Sequence, residues 1–470
     1  MSAPFRHPVS TSFPHAVRGF RQKVVRLTAR GVIWSGDRLS NLALVCALRL
    51  GPQLSVARLA RGKPRSLWGV TPILTLPLKA KADRKLGFDS ASLVYVTYVI
   101  TSQFDINLSK PYVVASRLGL LPAFQRTVLA WALLRYDVFH CFADWGLQDS
   151  KSRLQINPEE LAIWRAAGKR IYIYAYGADV RTRNKTLALG RWNFCVDCTE
   201  PTKYCICIDS EGENLIAQIA KHATAMVSLG DMLTYMPGAN HLNYWPIDID
   251  RVRTGGPVGA EGPLRIAHAP NHTHFKGSIY LERTIERLRA RGHFIEYVKI
   301  QGVPNTQVLE LFETCDLVAD QFIGGAYGYT ALEAMAFGRP VLSFVRSPDL
   351  ADAPEECPII NTTPDTLEEV LTWVLHNRAQ LAAIGAQGKS YVQRWHSIDA
   401  VALRLGQLYR DTADFPDIVL QKIATQRAEE ICRRNAIPVV TGWEHPYQID
   451  RAARSESGTC AGTQRQVPTA

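Results

Sequence analysis

Acidic residues are scarce where this 470-residue chain begins. Up to Lys85, sixteen lysines and arginines face only two carboxylates, Asp37 and Asp83. A field of that sign attracts phospholipid headgroups, nucleic acid or a phosphorylated substrate, or remains a solvated basic arm. This region also lacks an aromatic–basic recognition motif, which argues against nucleic acid as the partner. Long hydrophobic runs are missing too. LALVCALRL soon meets charges, and TVLAWALL lies between Arg126 and Arg135. No stretch of about eighteen apolar residues therefore offers a spanning helix. Nor do the first residues hold an apolar core with a small-residue cleavage site, so a cytoplasmic chain is expected rather than a secreted one. No internal repeat is visible.

Ten cysteines without a secretory signal point to thiols or metal rather than a disulfide framework. Four crowd into CVDCTEPTKYCIC as Cys195, Cys198, Cys205 and Cys207. Thiolates at such spacing can close a structural zinc site around a loop with no core of its own, the alternative being core cysteines clustered by chance.

Composition is that of a folded protein, at a length that calls for two or three domains. From residue 31 to 250, LSVARLA, SLVYVTYVI, YDVFHCF, KRIYIYAYG and ATAMVSLG read as strands. SNLALVCALRL, NPEELAIWRAAG and GENLIAQIAKHA read as helices between them. RVRTGGPVGAEGP, residues 251–263, is glycine- and proline-rich and reads as a linker. Strand–helix alternation restarts at LRIAHAP and continues over 264–412. A helical segment follows over 413–450, and 451–470 is polar and expected to be disordered. With a basic arm at 1–30 and a cysteine-rich insertion near 195–207, this is an α/β chain. It predicts two Rossmann-like, doubly wound domains facing each other across a cleft.

In the second domain, two strand-end loops are equipped for an anion. HAPNHTHFKG brings Asn271, His272, Lys276 and Gly277, a fixed ammonium beside backbone amides. IGGAYGYTALE brings Gly325, Gly328, Tyr329 and Thr330, whose glycines let the backbone approach a ligand closely. Glu333 then has two readings: it closes a capping box with Thr330, or it accepts from a ribose diol beside the phosphates. His268, His272 and His274 could instead mark a metal.

The pattern G-Y-x3-E-A-M-A-x-G-x-P-V resembles the nucleotide-sugar half of retaining glycosyltransferases with the GT-B fold, the family-4 group of sugar transferases. The resemblance covers roughly 264–411. It implies a GT-B architecture and transfer of a sugar from a nucleoside-diphosphate sugar to a glycan or lipid-linked acceptor, with retained configuration and no catalytic metal. It places Lys276 on the diphosphate and Glu333 on the ribose. The family's first glutamate falls on Gly325, with Asp320 or Gln321 as substitutes, and its arginine falls near Asn271, with His272 or His274 compensating. More weakly, His140 matches a strand-end histidine, Tyr176 replaces another, Asp248 ends the first domain, and the last helix, Asp417 to Asn435 within 413–450, is implied to cross back to the first domain. The basic face suits an enzyme working on lipid-linked or cell-surface glycan precursors, peripheral on the inner face of the cytoplasmic membrane, with a soluble acceptor as the alternative. The departures at Gly325, Asn271 and Tyr176 support a catalytically silent nucleotide- or partner-binding protein as the alternative.

Overall fold

The computed structural model describes residues 15–449 apart from 100, 102, 151, 153, 154, 253, 254, 257 and 260, with side chains from residue 31 onward. The expected tail at 451–470, and the side chains of the basic arm up to residue 30, lie outside the described residues.

A helix, α1 (His15–Ala60), leads into a seven-stranded sheet of β1 (Arg65–Val70), β2 (Asp89–Val94), β3 (Ile106–Asn107), β4 (Val138–Phe142), β5 (Arg170–Tyr174), β6 (Ala225–Ser228) and β7 (Asn240–His241). The second sheet has five strands: β8 (Leu264–His268), β9 (Ile295–Lys299), β10 (Leu317–Ala319), β11 (Val341–Ser343) and β12 (Ile360–Asn361). Every strand pair is parallel. The two α/β domains form a GT-B arrangement, as the alternation of strands and helices predicts.

Strand order positions the functional residues. In the first sheet it runs β3-β2-β1-β4-β5-β6-β7, and in the second β12-β11-β10-β8-β9. The chain therefore reverses direction across the sheet between β1 and β4, and again between β8 and β10. Loops leaving the carboxyl ends of those strands splay apart, opening a crevice at each reversal.

Three readings of the sequence need correction. LSVARLA belongs to α1, and the first strand is RSLWGV, with five of its six residues buried. The stretch Gly31–Ala60 is, by length and composition, apolar enough to cross a membrane, and little of it is buried. One side packs along the helix Leu121–Arg135. The other exposes Val32, Leu39, Leu42, Leu50 and Val56, between 51% and 68% accessible, interleaved with Arg38 and Arg49. Finally, the return to the first domain begins before the last helix. Ile398, Val401, Leu405 and Tyr409, on the helix Ile398–Thr412, already sit in the first domain's core.

The two crossings lie side by side: Ile247 N–H donates to the His396 carbonyl at 2.7 Å. The glycine-rich stretch expected as a linker runs along the second domain instead, with Gly255 N–H on the Phe337 carbonyl and Gly256 N–H on that of Glu313.

One buried carboxylate anchors α1. Asp137, fully buried just before β4, accepts from Ser55 Oγ at 2.6 Å, from Arg58 Nη2 at 2.6 Å and from Arg65 N–H at 3.0 Å. Removing one partner of a buried pair leaves an uncompensated charge. Arg58→Ala is expected to cost about 3–5 kcal/mol of stability, measured by denaturant unfolding. A loss below about 1 kcal/mol, the level of an exposed pair, would mean that α1 is not held this way.

Candidate functional site

The two loops of the second domain meet around one acid. Lys276 Nζ lies 2.6 Å from Asp320 Oδ1, and Asp320 Oδ2 accepts the Gly328 N–H at 2.5 Å. Asp320 is buried at the end of β10 and Lys276 is half-buried after β8, so the bracket spans the second sheet's reversal point. A Cβ at 328 would stand 2.9 Å from Lys276 Nζ and 3.0 Å from Asp320 Oδ1, so a side chain there would displace the ion pair. The helix Tyr329–Ala336 starts at this point with no side chain capping it. Gly328's own amide is taken by Asp320, which leaves those of Tyr329 and Thr330 to face outward.

Gly328, not Thr330, is the N-cap, so the capping box does not form. Glu333 instead lies on the second turn, where its Oε1 accepts from Asn305 Nδ2 at 2.8 Å. It lines a cleft of about 1200 Å³ together with Asn271, His272, Lys276, Tyr329 and Thr330. Asp320 does not line that cleft: it is the counter-ion of Lys276 and cannot take the place of a missing sugar ligand. Gly277 and Gly325 stand away from it as well. Gly325, at φ +85°, is covered by Arg346, whose Nη1 would meet a Cβ at 2.5 Å. Arg346 bridges the domains, 2.7 Å from Asp231 Oδ2 and 2.9 Å from the Trp192 carbonyl. His268 is also absent from the cleft, buried with Nε2 on Ser278 Oγ at 2.7 Å.

The facing wall comes from the first sheet's reversal point. Thr71 follows β1, Asp144 follows β4 and Tyr176 follows β5, and all three line the cleft. Asp144 accepts from Thr71 Oγ1 at 2.7 Å and from Tyr176 OH at 3.1 Å. Burial pushes its carboxyl above the usual range, against the pull of those two hydroxyls. Beneath it, Asp179 Oδ1 accepts the N–H groups of Tyr176 and Gly177 at 3.0 and 2.8 Å, while its Oδ2 is buried without a partner. Burial, then the charge of Asp144, pushes Asp179 up to about 8. Lys79 is fully buried over the rings of Phe142 and Tyr244, and burial drives its ammonium well below the ordinary value.

His140, expected at the site, belongs to the core. It is fully buried and stacked on Trp68 at 3.9 Å, with Nδ1 3.1 Å from Tyr174 OH and Nε2 3.0 Å from Tyr409 OH. Burial, then the Lys79 charge, lowers it well below the usual histidine value. It joins Asp83 in tying the returning helix to the first sheet: Tyr409 OH donates to Asp83 Oδ1 at 2.5 Å. Asp248 is buried too, paired with Lys81 Nζ at 2.9 Å beside the crossing.

The cysteine-rich stretch forms a strap. From the first domain it lays Phe194 against Phe275 and Tyr204 against His272 and His274, while Asp197 accepts from Tyr280 OH at 2.6 Å. Phe194, Lys203 and Tyr204 thereby join the cleft wall beside the Lys276 loop. Arg181, which sequence reasoning missed, also lines the cleft; its guanidinium lies 4.0 Å from the Phe194 ring centroid and 5.8 Å from that of Phe275. The zinc expectation finds no support. Among the described residues no group of three or more His, Cys, Asp or Glu is disposed to hold a metal. Cys195, Cys198, Cys205 and Cys207 are free thiols. Cys205 Sγ accepts from Arg181 Nη1 at 3.5 Å, Cys207 Sγ accepts from Thr202 N–H at 3.1 Å, and burial raises the thiols of Cys195 and Cys205.

No family model matches the chain, and no curated protein matches its sequence. Solved structures similar to it include a sucrose-phosphate synthase from Thermosynechococcus elongatus, at 14% identity and a TM-score of 0.49 over 74% of this chain and 98% of that one. HepE from Anabaena in complex with UDP-glucose is similar at 11% identity and a TM-score of 0.46, over 74% and 99%. So is an α-glucosyltransferase in complex with UDP-glucose and DNA containing an abasic site, at 11% and 0.46 over 75% and 99%. Further structures of an α-glucosyltransferase in this set are also DNA complexes. The expectation set against nucleic acid is corrected to this extent: solved structures similar to the chain were captured in complex with DNA.

Burial pushes the Glu333 carboxyl up to about 7, opposed by the Asn305 hydrogen bond. A folded-state value above the unfolded one means that the neutral acid is favoured on folding, so stability is lost as pH rises from the unfolded value through 7. Glu333→Gln, which keeps an acceptor for Asn305, is expected to melt above wild type at pH 8 and level with it near pH 4.5. Equal melting temperatures at both pH values would show that Glu333 carries no burial penalty.

Proposed function

We propose that the interdomain cleft transfers a sugar from a nucleoside-diphosphate sugar to a hydroxyl of a glycan or lipid-linked acceptor, with retention of configuration. One observation carries this reading. Lys276, the open first turn of the helix Tyr329–Ala336 and the carboxyl of Glu333 converge on one cleft at the strand ends of the second sheet.

The diphosphate would lie across Lys276 and the Tyr329 and Thr330 amides, with its ribose diol donating to Glu333. As the bond from the anomeric carbon to the phosphate oxygen breaks, charge grows on the leaving group, where fixed donors are most effective. Asp320 holds the Lys276 ammonium in place but offsets its charge. Arg181, reaching over from the first domain, supplies the further cation. The acceptor oxygen bonds to the anomeric carbon on the face that the phosphate leaves, and its proton passes to the departing phosphate oxygen. This route needs neither a covalent nucleophile nor a catalytic metal. Closure would use the paired crossings at Ile247 and His396 to exclude water.

A second reading is favoured by Arg346, which occupies the space over Gly325 where the resemblance expects a carboxylate side chain. A protein that binds the nucleotide without chemistry would show no transfer or slow hydrolysis with a panel of nucleotide sugars.

We further propose that the enzyme works at the inner face of a membrane, with the exposed side of α1 lying in the headgroup layer. Apolar residues interleaved with arginines suit an interfacial helix. Sedimentation with phosphatidylglycerol vesicles, but not with phosphatidylcholine, is expected for the full chain, and Leu39→Asp combined with Leu42→Asp should abolish it. Salt-dependent binding to duplex DNA with no vesicle binding would assign the basic field to nucleic acid.

The donor site is tested by calorimetry with uridine and guanosine diphosphates. A charge-assisted contact is worth about 1.5–3 kcal/mol, so Lys276→Ala and Glu333→Ala should each weaken the better ligand by about tenfold or more. Wild-type affinity in both variants would remove these residues from the site.

A further inference from the structure

We propose that Cys195 and Cys198 are a redox pair, and that the disulfide between them locks the strap onto the second domain and slows exchange of the bound nucleotide. What the lock regulates rests on the donor reading above; the pair itself does not.

Sugar transfer gives the four clustered thiols no task. From Ala188 to Ile208 the chain forms neither helix nor strand. Loops of that length in a compact domain are commonly lids or binding loops. The far end of this one is anchored, with Cys205 and Ile206 buried and Ile206 in the first domain's core. The earlier part reaches the second domain. The Trp192 ring centroid lies 5.1 Å from that of Tyr280, and that of Phe194 lies 5.8 Å from that of Phe275. A Cβ on Gly324 would stand 2.7 Å from Phe194, so the same ring covers the loop that leads to the helix Tyr329–Ala336. Asp197 accepts from Tyr280 OH at 2.6 Å. These contacts enclose Lys276 along the chain, with Phe275 before it and Tyr280 after.

The turn that makes them contains the two thiols, both half-buried. Cys198 N–H donates to the Cys195 carbonyl at 3.3 Å, and Val196 N–H to that of Asn193 at 3.2 Å. A turn closed from its first to its fourth residue keeps the end Cα atoms within about 7 Å, and a disulfide spans about 4.4–6.8 Å. Phe194 precedes the pair and Asp197 lies inside it. The shape that brings the thiols within reach is therefore the shape that aims both contacts at the second domain. Cys205 and Cys207 are engaged elsewhere, accepting from Arg181 Nη1 and Thr202 N–H.

Glutathione disulfide is the oxidant. One strap thiolate attacks it, its S–S bond breaks and one glutathione leaves; the other thiolate then displaces the second. The Cys195–Cys198 bond forms, and the two thiol protons end on two glutathiones. Outside oxidising compartments such a bond is transient and redox-sensing rather than structural. A cross-link restricts the flexible state of a loop more than its ordered state, so oxidation favours the latched strap.

The test compares the full chain treated with glutathione disulfide and with dithiothreitol. Peptide mass spectrometry should find Cys195 joined to Cys198. Hydrogen exchange, measured without nucleotide, should then slow in the strap and in the Lys276 loop. Stopped-flow displacement of a fluorescent uridine diphosphate should show release about tenfold slower from the oxidised protein, the scale for closing a short loop. Cys195→Ser and Cys198→Ser should each remove both effects, and Cys207→Ser should keep them. The comparison of the two redox forms of the wild-type chain stands even where a serine variant fails to fold. A different pairing, no disulfide with excess glutathione disulfide, one zinc held per isolated chain, equal hydrogen exchange in the two forms, or nucleotide release unchanged by oxidation would overturn the proposal. Slower hydrogen exchange in a protein that binds no nucleotide would uphold the lock and remove the donor reading.

Discussion

The second domain's half of the cleft depends on a single buried acid. Asp320 holds an ammonium from one loop with one oxygen and the first amide of the next loop with the other. Burying a carboxylate is costly unless its lone pairs are met, so the two loops cannot separate without exposing that cost. The acid therefore fixes both the position of Lys276 and the start of the helix carrying Glu333. It also favours glycine at 328, since a side chain there would push against the ion pair. The same pairing offsets the Lys276 charge, and Arg181, from the opposite domain, adds a further cation to the lining of the same cleft.

Two further sets of contacts join the two halves, and a third anchors the returning helix within the first domain. Arg346 pins the Gly325 loop to Asp231 and Trp192. The strap lays Phe194 and Tyr204 on the loop before Lys276. Behind the sheet, Tyr409 ties the returning helix to Asp83 and His140. These ties lie on different sides of the paired crossing at Ile247 and His396. Movement about that crossing must release the front contacts, whereas the Tyr409 network lies within the first domain's own core and moves with it.

Much of the architecture was legible because parallel strands buried on both faces leave strong apolar runs. YDVFHCF, KRIYIYAYG, LRIAHAP and DLVADQF all became strands at their expected places. The failures are as physical as the successes. LSVARLA alternates like a strand, but it ends a long helix whose outer side is apolar, so periodicity misleads there. RSLWGV carries a serine, a tryptophan and a glycine and gives little pattern, yet it is an interior strand at which the order of the sheet reverses. That the loops of Lys276 and Gly328 meet could be read because both leave neighbouring strand ends of one sheet. His140 could not be placed from spacing alone, since a strand residue alternates between faces and only the sheet decides which is core. The cysteine cluster suggested a metal because sequence shows proximity along the chain but not the Arg181 guanidinium that faces Cys205.

Asp144 and Arg181 were within reach of the same logic applied to the loops of the second domain. FADWG follows β4 and YGADVR follows β5, both at strand ends and both beside the reversal of strand order. What hid them is that a reversal is a property of topology, and topology appears only once β1 is known to sit between β2 and β4. With that order fixed, the two domains become comparable. Each opens a crevice at its reversal, each puts a carboxyl there, and each supports it with hydroxyl or amide donors. They differ in charge. The second domain sets an ammonium and open helix amides beside its carboxyl, whereas the first surrounds its own with aromatic rings and a further acid. A cleft built from two such halves changes character along its length, from ammonium and helix amides at one end to aromatic rings and carboxyls at the other.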